Sequence, residues 1–347
     1  MYIKRILWVI ALIGLLVCGY FAYYIYDSLF TPNTKFNNEE AYIYIKTGSE
    51  YKDVKNQLEP LLKDMGSFDA VAQQKKYDGN VKAGKYIIKK GMNNNEMINT
   101  LRVKNTAIKV SFNNQHSIGH LAARIAQQIE PDSAAIHQAM VDEKFLSKNG
   151  FNKNTALAMY LPNSYQIYWN TSPEGFRKRM LAEFKNFWNP ERIKQAETIG
   201  RTPVEVITLA SIVHEESKKA VEQPTVAGVY LNRLRIGMKL DADPTLKYAA
   251  YQLPEYKNTV IRRVLNKHKE IDSPYNTYKN IGLPPGPIAM PDLSAINAVL
   301  KNEKHAYYYF SVDAKNIGFH KFAKTHQQHI RNAREYHSYL TRNGIFN

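Results

Sequence analysis

The sequence predicts an α+β protein with one N-terminal transmembrane helix, a small α/β module and a larger α+β domain. Three observations support this fold class. A long apolar run opens the chain, and short strand-like runs then alternate with short amphipathic helices up to about residue 130. Longer helical patterns and proline-rich loops follow from about residue 151. The 347 residues are enough for about two domains, and the composition is that of a globular protein.

The apolar run covers residues 6–26 and is long enough to cross the hydrocarbon core of a membrane as a helix. Lys4 and Arg5 precede it, so the positive-inside rule places residues 1–5 in the cytoplasm and the chain after Asp27 outside. A cleaved signal peptide is the alternative, but the run is long and no small-x-small cleavage site follows. We therefore expect a single-pass anchor in the plasma (inner) membrane.

The chain is strongly basic, with 47 Lys and Arg residues against 31 Asp and Glu residues and a formal net charge of +16. Such a charge favours an anionic partner: nucleic acid, a lipid surface or an acidic polymer. A position outside the membrane argues against nucleic acid and favours an acidic polymer. The single cysteine, Cys18, lies in the apolar run and excludes a disulfide framework and a cysteine-based zinc site.

Residues 27–40 are polar and turn-prone, which predicts a short tether. A pattern of strand, polar turn and amphipathic helix then occurs about three times, which is common in small binding modules; an α+β domain without a ligand is the alternative. The predicted strands are 41–46, 85–88 and 107–112, and the predicted helices lie within 50–63, 97–101 and 118–129. We assign 41–150 to this module and a connecting region.

The larger domain is assigned to residues 151–347. Its sequence predicts an amphipathic helix that includes Phe176 and Phe187, an irregular stretch over 273–291, a strand at 307–312 and a closing helix over 320–339.

One further helix begins at Thr202-Pro203, where Thr202 and Glu205 form the pattern of a capping box. An apolar stripe runs from Val206 to Val213 and continues one turn later at Glu216. Burial at the end of such a stripe raises the pKa of a carboxyl group, as a general acid near neutrality requires. A helix-end carboxylate paired with a lysine is the alternative. A zincin motif is excluded because Lys218 stands where a histidine is needed.

Ordered motifs surround Glu216 and continue towards the C-terminus: residues 209–217, 224–240, 243–245, 275–278, 282–289 and 309–310. Together they resemble the endolytic murein transglycosylases, the MltG or YceG-like family. Upstream, residues 82–86 with Gly91-Met92 resemble the small LysM-like module of this family. The segment 161–165 resembles its Pro-Asp-Thr-Tyr motif, with Asn163 and Ser164 as substitutions.

The resemblance implies that Glu216 is the catalytic acid, the second glutamate of an Ile-Glu-x-Glu pattern. His214 stands at the position of the first glutamate, and this departure leaves the pH optimum open. The implied reaction cleaves the β-1,4 bond between N-acetylmuramic acid and N-acetylglucosamine without water and leaves 1,6-anhydro ends. Peptidoglycan is then the acidic polymer, and nascent glycan strands at the membrane are trimmed or terminated. Cell-wall synthesis enzymes are candidate partners.

Further polar residues are candidates for substrate binding because amide and hydroxyl donors beside aromatic faces suit sugars: Tyr165, Asn232, Tyr275, Asn276 and Tyr278. Asp241 and Asp243 are the candidates for a second carboxylate, with turn formation as the alternative. His320, His326 and His329 show no carboxylate partner in the sequence, so no metal is expected, and no cofactor either. Two other functions stay open, namely a non-catalytic peptidoglycan-binding scaffold and a lysozyme-like hydrolase.

Overall fold

The computed structural model describes residues 2–256 and 259–343. Residue 1 of the predicted cytoplasmic segment and residues 257–258 and 344–347 of the predicted larger domain lie outside the described residues. The chain forms two compact units. The first runs to Val110 and includes Gln128–Pro131 and Tyr165–Ser172, and the second contains the other residues from Ser111 onward.

The N-terminal helix α1 (Tyr2–Phe30) includes the whole predicted anchor, so the predicted helix is confirmed. An 18-residue stretch of this helix has a mean hydropathy of 2.3 and is not buried by the rest of the protein. The helix is long and apolar enough to cross a membrane. Ser28, near its C-terminal end, is buried. The helix therefore meets the rest of the first unit at that end.

The first unit is built on an antiparallel pair, β1 (Glu40–Ile45) and β2 (Gly84–Lys89), with Glu40 opposite Lys89 and Ile45 opposite Gly84. Between the strands lie α2 (Tyr51–Leu58), a 3₁₀ turn at Glu59–Leu61 and α3 (Met65–Gln74), and α4 (Asn94–Val103) follows β2. The sequence did not predict α3, whose apolar positions Phe68, Val71 and Ala72 are too few to give a periodic signal. Asp64 caps its first turn through the Gly66 amide.

The segment predicted as a tether is not a free linker. Helix α1 continues to Phe30, and Asn33 and Thr34 are buried in the first unit. The backbone nitrogen of Asn33 donates to the carbonyl of Met92 at 3.0 Å, and its carbonyl accepts from the nitrogen of Lys63 at 2.9 Å. Polar, turn-prone residues thus mark a segment that backbone hydrogen bonds hold against its neighbours, and the sequence pattern does not distinguish such a segment from a linker.

The remaining strands form two further two-stranded sheets among the described residues. Strand β3 (Ala107–Phe112) pairs with β4 (Asn163–Tyr168), and β5 (Tyr309–Val312) pairs antiparallel with β6 (His320–Ala323). Strand β6 corrects the predicted closing helix, which begins only at His326. Phe322 lies opposite Phe310 with the ring centroids 6.0 Å apart, so pairing with β5 keeps 320–323 extended.

The second unit is mainly helical. Its helices are α5 (Ile118–Ala126), α6 (Ser133–Met140), α7 (Glu143–Lys148), α8 (Pro173–Phe187), α9 (Pro190–Thr198), α10 (Pro203–Glu216), α11 (Gln223–Arg235), α12 (Asp243–Tyr251), α13 (Asn266–Lys269), α14 (Leu293–Lys301) and α15 (His326–Arg342), with 3₁₀ turns at Ala156–Met159 and Pro254–Tyr256. Helix α8 confirms the predicted amphipathic helix, and 273–291 contains no helix or strand, as predicted.

Helix α10 lies at the centre of the second unit, packed against α9, α11, α12 and α14. All nine residues from Val206 to His214 are buried. A helix that is apolar around its whole circumference belongs in a core. The end of α10 is therefore held rigidly by its neighbours.

Candidate active site

Glu216 is the last residue of α10, and its position is determined by the residue at which that helix begins. The hydroxyl of Thr202 accepts from the nitrogen of Glu205 at 3.3 Å, and the Glu205 carboxylate accepts from the nitrogen of Thr202 at 2.8 Å. This reciprocal pair is the predicted capping box, which is thereby confirmed. It sets the first turn of a buried 14-residue helix that delivers Glu216 to the wall of a cavity.

The carboxylate of Glu216 has a specific partner on α11. The hydroxyl of Tyr230 donates to Oε1 of Glu216 at 2.8 Å. Tyr230 is 1% exposed, and the edge of its ring meets Phe310 with the centroids 5.8 Å apart. Because both ends of Tyr230 are held, the hydroxyl presents a fixed donor to the carboxylate.

Burial raises the pKa of Glu216 from 4.5 to about 7. The hydrogen bond from Tyr230 opposes this by favouring the charged carboxylate, and the nearby charge of Asp243 again raises the pKa. Arg233 and Lys247 lower it. Near neutral pH the group can therefore hold a proton and also release one, which is what an acid that later serves as a base requires.

The cavity beside Glu216 has a volume of about 660 Å³. Its polar lining includes Tyr230, Arg233, Asp241, Asp243 and Tyr278. An aromatic wall lies on the β5 and α15 side, formed by Tyr309, Phe310, His326 and His329. The rings of Tyr309 and His329 are stacked with their centroids 5.5 Å apart. Such a mixture of hydroxyl groups, charges and ring faces suits a polar, ring-shaped ligand.

The two candidate second carboxylates both line this cavity. Oδ1 of Asp243 accepts from the hydroxyl of Tyr278 at 2.7 Å, and Asp243 is the first residue of α12. Oδ2 of Asp241 lies 3.7 Å from Nη1 of Arg233, and burial raises the pKa of Asp241. Asp241 has a left-handed backbone conformation with φ of 44°, so it also has the turn role considered as the alternative.

Of the five predicted sugar-binding residues, the structure brings Tyr278 to the cavity of Glu216. Asn276 is 0% exposed, and its amide donates to the carbonyls of Lys269 and Ile271 at 2.9 and 2.8 Å. Its carbonyl oxygen accepts from the nitrogen of Tyr278 at 3.0 Å. Asn276 thus fixes the loop that presents Tyr278.

Three other predicted residues are placed differently. Asn232 is buried, and its amide donates to the carbonyls of His305 and Tyr307, both at 2.9 Å. The ring of Tyr275 packs on Tyr248 with the centroids 4.6 Å apart. Tyr165 is buried in β4 and belongs to the first unit, whereas the residues that line the Glu216 cavity all belong to the second.

The sequence did not single out Tyr230 and Arg233 as site residues. They are one turn apart on α11, so they share the helix face that meets the cavity. Nε of Arg233 donates to the carbonyl of Tyr308 at 2.6 Å, and Nη1 donates to that of Leu240 at 2.7 Å. The available signal is a tyrosine and an arginine three residues apart in a helix whose only other charged residue is Arg235. It becomes informative only once α11 is known to be buried.

His214, at the position where the family carries a glutamate, is buried with 4% exposure. Its Nδ1 lies 3.4 Å from Oδ2 of Asp292, the residue that precedes α14. Burial lowers the pKa of His214, and the ammonium group of Lys218 acts in the same direction. The imidazole is therefore neutral at pH 7, and the groups that set the pKa of Glu216 are Tyr230, Asp243, Arg233 and Lys247 rather than His214.

The predicted histidine cluster is divided between two environments. Nδ1 of His320 lies 2.9 Å from Oε2 of the buried Glu222, which also accepts from Ser217 at 2.8 Å. His326 and His329 instead line the Glu216 cavity. Within residues 2–256 and 259–343, no group of three or more His, Cys, Asp or Glu side chains is arranged to hold a metal ion.

A second cavity, of about 710 Å³, lies next to the same elements. It is lined by His116, His120, Glu215, Lys247, Tyr248 and Tyr251, among others. At the end of α10, Glu215 lines this second cavity and the next residue, Glu216, lines the first. At the start of α12, Asp243 lines the first cavity and the next residue, Pro244, lines the second. The two cavities therefore flank one another across these helix ends.

The fold and the site define an α+β protein in which a glutamic acid with a raised pKa lines a polar and aromatic cavity. The YceG-like family model matches residues 43–335. The endolytic murein transglycosylase of Bacillus subtilis is 31% identical over 344 residues, which cover 93% of this chain and 91% of that protein. The protein of the same name from Streptococcus pneumoniae D39 is 28% identical, over 92% of this chain and 62% of its own length.

A crystal structure of a YceG-like protein from Listeria monocytogenes shares the fold, with a TM-score of 0.56 and 25% identity. The match covers 85% of this chain and 99% of that one. The chain belongs to the YceG-like family.

Proposed function

We propose that this chain is an endolytic lytic transglycosylase that cleaves peptidoglycan strands. The observation that carries the proposal is the position of the Glu216 carboxyl group at the wall of a cavity, where burial raises its pKa to about 7. The relatives named endolytic murein transglycosylase support the substrate class, since they match over nearly the whole of this chain.

In the proposed reaction, Glu216 donates its proton to the glycosidic oxygen between N-acetylmuramic acid and N-acetylglucosamine as that bond breaks. The carboxylate then accepts the proton of the muramyl 6-hydroxyl, whose oxygen forms a bond to the anomeric carbon. The product carries a 1,6-anhydro ring and no water is consumed. An internal nucleophile has a high effective molarity, so one carboxyl group acting as acid and then base is sufficient.

The surroundings of Glu216 support this sequence of steps. Tyr230 donates to the carboxylate at 2.8 Å and stabilises the charge that appears when the proton leaves. Asp243, in the same cavity, carries a negative charge that favours the positive oxocarbenium-like state. We infer that the neighbouring cavity at Tyr248 and Tyr251 receives sugars further along the strand, since an enzyme that cuts within a strand needs sites on both sides of the cut.

We also propose that the first unit contains a LysM-like module. Its order of strand, two helices and strand, closed by the antiparallel β1–β2 pair, supports that proposal. Helix α1 supports a single-pass anchor in the plasma membrane, with the N-terminus in the cytoplasm and the rest of the protein outside. Cleavage then acts on glycan strands close to the membrane, where the wall is synthesised.

A lysozyme-like hydrolase is the second candidate, because Asp241 and Asp243 share the cavity with Glu216. The test is to digest purified peptidoglycan in water enriched in ¹⁸O and to analyse the fragments by mass spectrometry. A transglycosylase yields anhydro-muramyl ends without the label, whereas a hydrolase yields reducing ends that contain it. Binding without any cleavage would instead indicate a scaffold protein.

A further inference from the structure

The C-terminal end of α1 is fastened to the first unit by a set of buried polar contacts. The side-chain amide of Asn94 donates to the backbone carbonyl of Ser28 at 2.8 Å. The amide of Asn33 donates to the carbonyl of Asp64 at 2.6 Å and to Oδ1 of Asn94 at 2.8 Å. Ser28, Asn33 and Asn94 are 6%, 5% and 1% exposed. Buried amides with satisfied partners hold a fixed geometry.

The chain that follows α1 is held on both sides. Thr34 accepts from the nitrogen of Gly91 at 2.8 Å, and the nitrogen of Lys35 donates to the carbonyl of Leu61 at 2.9 Å. Leu29 and Phe36 pack on the hydrophobic core of the first unit. Residues 28–36 therefore form a clasp that fixes the end of α1 on the rest of the first unit.

The clasp fixes the height of this unit above a membrane. The apolar run 6–26 spans about 32 Å at 1.5 Å per residue, close to the ~30 Å of a hydrocarbon core. Residues 27–30 then extend through about 6 Å, which is the thickness of one headgroup layer. With α1 as the proposed anchor, we expect the residues of the clasp beyond Phe30 at the outer surface of the headgroup layer.

Three lysines belong to the segment after Phe30 or contact it. Nζ of Lys63 donates to the carbonyl of Pro32 and Nζ of Lys90 donates to that of Asn37, both at 3.3 Å, and Lys35 is part of the clasp itself. All three are exposed. An ammonium group has three donor hydrogens, and the bonds to Pro32 and Asn37 use one on Lys63 and one on Lys90. The other hydrogens are available to an anionic ligand.

We propose that Lys35, Lys63 and Lys90 form a headgroup-binding face that binds the phosphates of anionic lipids and, with the clasp, seats the first unit directly on the membrane. The inference rests on the proposed anchoring by α1, but it does not depend on the proposed cleavage. Its consequence is that the first unit has a fixed distance from the bilayer rather than the range of positions that a tether would allow.

The test uses the full chain in nanodiscs of anionic or zwitterionic lipids, with Cys18→Ser as the background. A fluorophore is attached at Lys63→Cys and, as the matched control, at Lys46→Cys, just beyond the end of β1, about 20 Å along that strand. Quenchers carried on lipid headgroups should quench position 63 several-fold more than position 46 in both lipids. Equal quenching at the two positions would overturn the clasp.

A second variant separates the clasp from the charge. Six Gly/Ser residues inserted after Asp27 separate the membrane-spanning part of α1 from the clasp, because Ser28 and Leu29 then stay with the rest of the first unit. In zwitterionic discs, quenching at position 63 should then fall to the level of position 46, while in anionic discs it should persist. Changing Lys35 and Lys90 to Gln in this labelled insertion variant, which already lacks Lys63, should lower the docked-to-undocked ratio by about 30-fold. No effect of lipid charge would overturn the headgroup-binding face.

If α1 does not anchor the protein in a membrane, the chain will not co-elute with the nanodiscs. This outcome is distinct from the two above.

Discussion

The hydroxyl of Tyr230 lies 2.8 Å from Oε1 of Glu216 and donates a hydrogen bond to it. This hydrogen bond joins the end of α10 to the middle of α11. Two opposing effects act on the pKa of the Glu216 carboxyl group. Burial favours the protonated acid, and the tyrosine favours the carboxylate. The balance leaves the pKa of Glu216 at about 7, so small changes around it should move the pH dependence in directions that the structure specifies.

The first prediction concerns the wild-type pH profile. Because Glu216 must be protonated to act as the acid, kcat/KM should be constant below the pKa of about 7 and fall tenfold per pH unit above it. Tyr230→Phe removes the bond that lowers this pKa, so the falling limb should move to higher pH, with a loss of about tenfold in kcat. Tyr168→Phe, on an exposed side chain of β4, is the matched control and should leave the profile unchanged. A limb that moves to lower pH in Tyr230→Phe would contradict the assignment.

The second prediction concerns Asp243, whose removal should shift the pH profile in the opposite direction to that of Tyr230→Phe. The negative charge of Asp243 raises the pKa of Glu216, so Asp243→Asn should lower it and move the falling limb to lower pH. The asparagine oxygen can still accept from the hydroxyl of Tyr278, which keeps the start of α12 in place. Rates measured from about pH 5 to 9 on the same glycan would show the shift. An unchanged limb would mean that Asp243 acts only in the turn.

The third prediction concerns His214. Its imidazole faces Asp292 at 3.4 Å and is not among the groups that set the pKa of Glu216. His214→Gln should therefore leave the pH at which activity falls unchanged, although a buried side chain is altered and Tm can decrease. A shifted limb at unchanged Tm would show that the residue at this position tunes the pKa of Glu216.

The fourth prediction links the acid to stability. Because folding raises the pKa of Glu216 from 4.5 to about 7, the protonated carboxyl stabilises the fold below pH 4.5, and this contribution is lost as the pH rises through 7. Glu216→Gln stays neutral, so it should be more stable than wild type at about pH 8.5 by about 1–3 kcal/mol, with a much smaller difference at about pH 5. Urea unfolding at both pH values tests this. Equal stability at high pH would contradict the raised pKa.

The position of Glu216 could be predicted from the sequence because its determinants are local. A capping box at Thr202 and an apolar stripe up to Val213 specify the helix, and the spacing places the carboxyl at its end. Tyr230 reaches Glu216 only through the packing of α11 on α10, which no local pattern encodes. Likewise Asn232 and Asn276 carry groups that suit a sugar, yet their amides hold backbone carbonyls. Residue type alone does not separate these two uses.

The fold shows the same division. Strands β1 to β3 and helices α2, α4 and α5 follow their residue patterns, whereas β6 takes its extended form from pairing with β5. The polar residues around Asn33 have the sequence pattern of a linker, because the partners that hold them, Asp64 and Asn94, lie on distant segments of the chain.

The central claim, that Glu216 is the acid and base of a cleavage without water, is tested most directly by mass spectrometry of digested peptidoglycan. Wild type, Glu216→Gln and the control Glu197→Gln, an exposed carboxylate on α9, would be compared at equal concentration. We expect anhydro-muramyl ends from wild type and Glu197→Gln, and a loss of about 10²- to 10⁴-fold in Glu216→Gln. Anhydro ends formed at the wild-type rate by Glu216→Gln would contradict the account.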